Sequence, residues 1–222
     1  MATLAERFIE HMQGVTPGYR LVKKEDSKFM KFLAIILFFN RGFMTRYTTT
    51  IGKTVYMPGN RVTVGGTAII PILAHEAHHI WDSTRPWVSL FYAIGYLMPQ
   101  ILTVFSLLAL LAIWYSNWWL ISLACLLFIL PIPAPIRMWV ERRGYLMTLA
   151  CRLWMWNNAD KSLSNVLSQF TGWGYYKMWP FRRSLENWFK YQMECIKQNK
   201  FPTPVYSTVL EFLKKEKLAP NS

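Results

Sequence analysis

Between Arg85 and Arg137 lie 51 residues without a single Lys, Arg, Asp, Glu or His. No other feature of the chain constrains its fold as tightly. A transmembrane helix needs about 20 consecutive apolar residues, so this interval has room for two such helices. The turn between them falls at Tyr115-Ser116-Asn117, with Trp114 before it and Trp118 and Trp119 after it. Trp87 and Trp139 bracket the outer ends, so both apolar runs are flanked by aromatic residues as at membrane interfaces. Helical rise gives ~40 Å from Trp87 to Trp114 and ~30 Å from Trp119 to Trp139, each enough for a bilayer. The expectation is one transmembrane helical hairpin over residues 87–136, its second arm broken or kinked by Pro131, Pro133 and Pro135.

A hairpin returns the chain to the side it left. The 25 Lys and Arg, against 12 Asp and Glu for a net +13, then all face one compartment. By the positive-inside rule that compartment is the cytoplasm, which makes the chain an integral membrane protein with its polar remainder on the cytoplasmic side. A lipid bilayer with anionic head groups balances the charge. Nucleic acid, the other usual partner of a basic chain, is set aside because no binding motif is present. Cys125, Cys151 and Cys195 are odd in number and widely spaced, which excludes a disulfide scaffold and a CxxC metal site. The first fifteen residues contain acids and lack a long apolar core, so no cleavable signal peptide is expected. The run Phe32–Phe39 is too short to span and reads as a core element or a segment dipping into head groups.

Just before the uncharged interval stands His75-Glu76-Ala77-His78-His79, three of the four histidines of the chain within five positions. On a helix, His75 and His79 at i, i+4 share one face, one turn apart. Both imidazoles can then bind one Zn2+ at ~2.0–2.1 Å. Glu76, beside the first histidine, is placed to act as general base toward a water. The preceding Thr67–Ala74, with Pro71 in its first turn, reads as the start of a buried helix. Histidines on such a helix are costly to leave without partners. His78 lies off the shared face and reads as a supporting or packing residue.

A catalytic zinc needs a third protein ligand. His11 sits on a short polar N-terminal helix and reads as solvated, while Asp26, Asp82 and Asp160 have no supporting pattern. Glu141 is better placed, because the hairpin would bring it back to where the histidine helix ended. The competing reading pairs Glu141 with its neighbours Arg142 and Arg143.

HEAHH, an apolar hairpin and then a Glu on the next helix resemble the membrane-bound gluzincin metallopeptidases of the heat-shock membrane protease and CAAX prenyl protease type. Tyr47–Pro58 resembles the strand that precedes the zinc helix there, and the likeness covers roughly residues 45–150. It implies zinc ligands His75, His79 and Glu141, with Glu76 activating water, and an edge strand that pairs with an extended protein or peptide substrate. The family's Asp four positions after its ligand Glu is Tyr145 here. The support that this Asp gives a ligand histidine must come from elsewhere, with Asp82 as a candidate.

The fold expected is α+β and mainly helical: a zincin-like metallopeptidase domain with a small β-sheet and one inserted transmembrane hairpin. Residues 1–222 would form a single membrane-anchored domain. A helix through Glu141 should reach about Trp156, with breaks at Asn157–Asp160 and Thr171–Gly174. Leu185, Trp188, Phe189, Met193 and Ile196 recur at helical spacing and predict an amphipathic helix packed on the domain, and Val209, Leu210 and Leu213 predict another. Tyr145, Tyr175, Tyr176, Arg182 and Arg183 are open alternatives for stabilising an oxyanion. His75-x-x-His78-His79 also fits the histidine boxes of di-iron desaturases, but those need about eight histidines and this chain has four. The expected activity is therefore zinc-dependent peptide hydrolysis near the membrane. The alternative is a non-enzymatic, basic, membrane-anchored structural or adaptor protein with a structural metal site.

Overall fold

The computed structural model describes residues 2–38, 40–64, 66–84, 95, 98–173 and 177–220. At its centre is the helix that carries the histidines. Gly66–Ile69 makes a short 3-10 turn, opened by Gly66 at φ +45°, and leads into an α-helix at Ile70–Ser83 with Pro71 in its first turn. Pro at that position removes only an N–H that has no intrahelical partner. This helix buries ten of its fourteen residues, including Leu73, Ala77 and Ile80, so it is a core helix walled on several sides.

In chain order the helices are α1 (Leu4–Met12), α2 (Lys28–Ile36), α3 (Gly59–Val64), α4 (Ile70–Ser83), α5 (Pro135–Trp156), α6 (Ala159–Thr171), α7 (Arg182–Lys197) and α8 (Pro204–Lys215). The strands are β1 (Arg20–Lys23), β2 (Thr49–Ile51) and β3 (Thr54–Met57). α1 begins with a reciprocal capping box between Thr3 and Glu6, which satisfies two otherwise unpaired N–H groups. α5 opens on Pro135 and stops where Asn157 turns left-handed at φ +49°.

α5 lies along α4 and is the second wall of the core. α1 and α8 close one side through Phe8 against Phe212, edge to face at 5.1 Å with both rings fully buried. Burying each such ring contributes roughly 1.5–3 kcal/mol. The Arg7–Glu216 ion pair beside them, at 2.7 Å, is screened by water and adds little. α6 and α7 close the other side through Tyr145, Phe170 and Phe189, in successive ring contacts of 5.5 and 6.0 Å. α7 buries Leu185, Phe189, Met193 and Ile196 against this core, as its periodicity predicts.

The sheet has the order β1-β3-β2, with β1 parallel and β2 antiparallel to β3. Two sequence expectations change here. The strand expected over Tyr47–Met57 folds back on itself at Gly52-Lys53, where Gly52 takes φ +58° as the first residue of a two-residue hairpin turn. On its other side β3 pairs with β1, while Arg61–Val64, which follows the strand, lies within α3. The apolar run Phe32–Phe39 is not a core element: α2 buries only Met30, and Phe32, Ile35, Ile36 and Phe38 are exposed.

The largest correction concerns residues 87–136. Among the described residues no helix is long and apolar enough to cross a membrane. Instead of two long α-helices there are two 3-10 segments, Gln100–Ile113 and Asn117–Ile129, packed on each other and burying none of their own residues. Pro99 bounds the first, and Pro131 stands just past the end of the second, where a proline ring removes an N–H donor and clashes with the preceding turn. Trp87 lies outside the described residues. The transmembrane hairpin, the integral membrane placement and the cytoplasmic orientation derived from it are therefore withdrawn. What stands of the expected fold class is a mainly helical chain with a small three-stranded sheet.

Candidate metal centre

Two helices far apart in sequence bring three donor atoms together. His75 and His79 project from one face of α4, and Glu141 reaches them from the second turn of α5. His75 Nε2 lies 2.8 Å from His79 Nε2 and 3.5 Å from Glu141 Oε2, while His79 Nε2 is 4.0 Å from the same oxygen. Ligands held tetrahedrally at ~2.0–2.1 Å from zinc stand ~3.3 Å apart, and the three separations bracket that edge. Two imidazole nitrogens at 2.8 Å repel each other unless a proton or a cation sits between their lone pairs. All three residues are at least nine-tenths buried.

The face of α5 that meets α4 is built for this approach. Glu141, Gly144, Tyr145 and Thr148 follow one another at i, i+3, i+4 and i+7. A Cβ on Gly144 would sit 2.6 Å from His75 Nε2, so only glycine lets the ring lie there. Tyr145 packs edge-on against the same imidazole, centroids 4.9 Å apart. Thr148 Oγ1 is 3.2 Å from His75 Nδ1. With Nε2 turned to the other donors, Nδ1 carries the proton and donates it to Thr148, whose own hydroxyl points to the Gly144 and Pro71 carbonyls at 3.4 and 3.5 Å. Thr148 thus gives His75 the support for which Asp82 was the candidate. Neither it nor Gly144 stands out in the sequence, since Thr and Gly mark no metal site by type. Their spacing from Glu141 is the one signal that could have found them.

Asp82 does not reach His75 or His79. It lies 3.3 Å from Nδ1 of the buried His78 and accepts from Arg143 at 2.9 Å, and His78 packs against Tyr206. This buried group ties α4 to α5 and α8, so His78 and Asp82 are packing partners of the centre. Arg143 is occupied by Asp82, and Arg142 stacks over Trp188 at 4.5 Å. His11 is not solvated as expected; its Nε2 lies 3.1 Å from the Thr208 carbonyl, on the α1–α8 contact. Tyr175 and Tyr176 lie outside the described residues. Arg182 meets Ser164 at 3.5 Å, and neither it nor Arg183 lines the cavity at the centre.

Glu76 is not one of the three grouped donors and lines a cavity of about 420 Å3 beside them, together with His75 and Tyr145. Its Oε2 accepts a hydrogen bond from Thr50 Oγ1 on the edge strand β2, at 2.7 Å. Burial raises the Glu76 carboxyl above its ordinary value, partly offset by the neighbouring His75 and by Thr50. Burial, with His75 beside it, pushes His79 down to about 3, so this ring is neutral and its lone pair free for coordination at neutral pH. His75 also loses by burial, but the bond to Glu141 and the charges of Glu76 and Glu141 outweigh that and raise it. His75 therefore keeps a proton to higher pH than His79, which shares the same face of the helix.

No protein-family model matches the chain, and neither a curated protein nor a solved structure matches it.

Proposed function

We propose that the protein is a zinc-dependent peptidase of the gluzincin type, with His75, His79 and Glu141 as the metal ligands and Glu76 as the general base. The observation that carries this reading is the convergence of two neutralisable imidazoles and one carboxylate at zinc-like separations, with a second carboxylate facing an adjoining cavity. Bound zinc would supply Lewis acidity toward a peptide carbonyl and toward water. Glu76 takes the proton of the attacking water and returns it to the leaving amine. Burial raises its carboxyl above the ordinary value, the direction that makes it a stronger proton acceptor. Thr50 fixes its orientation from β2. That strand pairs with β3 on one side and stands at the edge of the sheet, which supports pairing with an extended peptide through main-chain hydrogen bonds. Tyr145, edge-on to His75 and lining the cavity, is the candidate donor to the developing oxyanion.

The test is hydrolysis of an unstructured protein such as casein by zinc-loaded wild type and Glu76→Gln. The expected result is full metal content in both and a loss of turnover of ~10²–10⁴-fold in the variant. Wild type that holds zinc and cleaves nothing would leave the site a structural one.

A further inference from the structure

The cavity that Glu76 faces is lined by three guanidinium groups, Arg46, Arg61 and Arg152, and among the described residues none of them pairs with a carboxylate. Among the described residues on its wall Glu76 is the one acid, and it is bound to Thr50. Arg46 and Arg61 are exposed, whereas Arg152 is half-buried on α5, one turn beyond Thr148. The Nη1 of Arg152 donates to Ser162 Oγ at 2.9 Å, and its Nε is buried with no hydrogen-bond partner among the described residues. A guanidinium offers five donors in a planar fork that matches a carboxylate, and leaving them unmet in a buried position is costly. The neighbouring Asn165 and Gln169 add neutral amides and no charge. At about 420 Å3 the cavity suits a short peptide segment.

We infer that this cavity is a carboxylate-recognising subsite, so that the substrates are peptides with an acidic group close to the cleaved bond. The inference rests on the peptidase reading and names its substrate class. The group can be an acidic side chain or the terminal carboxylate, both of which present the same two oxygens to Arg152.

The experiment uses zinc-loaded Glu76→Gln protein and three peptides of one length. One carries an internal Glu with both ends blocked, one has Gln in its place with a free C-terminus, and one has Gln with both ends blocked. Calorimetric titration should find at least one of the first two bound ~10-fold or more tightly than the third, as for a hydrogen bond to a charged group. Which of the two binds identifies the source of the carboxylate. Arg152→Gln in the same background should erase the difference. Should that variant fail to fold, Arg46→Gln/Arg61→Gln at the exposed rim should reduce it. Equal affinity for all three peptides would overturn the subsite. Equal cleavage of all three by wild type would overturn the subsite while leaving the peptidase standing, and Arg152-dependent binding without any cleavage would do the reverse.

Discussion

Gly144 lies directly under the imidazole of His75: a methyl group there would meet three ring atoms at 2.6–2.8 Å. In an ordinary helix, replacing Gly by Ala gains roughly 0.5–1 kcal/mol of backbone entropy. Here the ring is held by Tyr145 and Thr148 and cannot retreat, so the clash outweighs that gain. Gly144→Ala should destabilise the protein by about 1–2 kcal/mol in urea denaturation and weaken zinc binding. A variant more stable than wild type with unchanged zinc affinity would mean that α5 does not press on His75.

Thr148→Val keeps the shape of the side chain and removes the acceptor for His75 Nδ1. Losing such a supporting partner typically costs ~10–100-fold in metal affinity, and a chelator competition should read that loss with the far-UV spectrum unchanged. Asp82→Asn, which breaks the pairing with His78 and Arg143, should lower stability more than metal affinity.

Protons compete with the metal at His75. Its folded-state value is raised above the ordinary 6.5, so metal-free protein gains stability from this group at low pH and loses it as pH rises through the raised value. Zinc requires the neutral ring, so zinc affinity should increase up to about tenfold per pH unit below that value and level off above it. His79, already neutral above about pH 3, adds no slope in this range. Affinity independent of pH from about 6 to 9 would show that His75 is not displaced of its proton by the metal.

Lys24 is fully buried, with its Nζ 2.6 Å from the Phe43 carbonyl and 4.0 Å from the centre of the Phe43 ring. Burial lowers it from 10.5 to about 8. Between those values the unfolded chain binds the proton more strongly than the folded one, so stability from this group rises with pH across that window. Denaturation curves of wild type minus Lys24→Met should show this rise. A flat difference would place the Nζ in water.

The pair His75 and His79 was legible in the sequence because a helix turns i into i+4 wherever it is placed. Glu141 was legible only as the best acid on the next helix, since the hairpin expected to return it there has no counterpart long and apolar enough to cross a membrane among the described residues. The zinc-like contact arises from α5 packing lengthwise on α4, which carries Glu141, Gly144 and Thr148 past His75 in one row. That packing depends on a glycine whose meaning is invisible until the ring above it is seen. Charge alone does not say which histidine Asp82 meets; the i, i+4 geometry of α4 turns it to His78. Parallel pairing of β1 with β3 joins four-residue segments more than thirty positions apart, which local pattern cannot anticipate. The apolar interval read as two spans because composition counts residues and takes no account of where prolines interrupt the helix.

Metal content of the purified protein, after exposure to zinc and removal of the excess, decides whether His75, His79 and Glu141 form a metal centre. One equivalent of zinc is expected in wild type and in Glu76→Gln, and a large loss in Glu141→Ala and His79→Ala. Wild type without stoichiometric zinc, or Glu141→Ala that retains it in full, would contradict it.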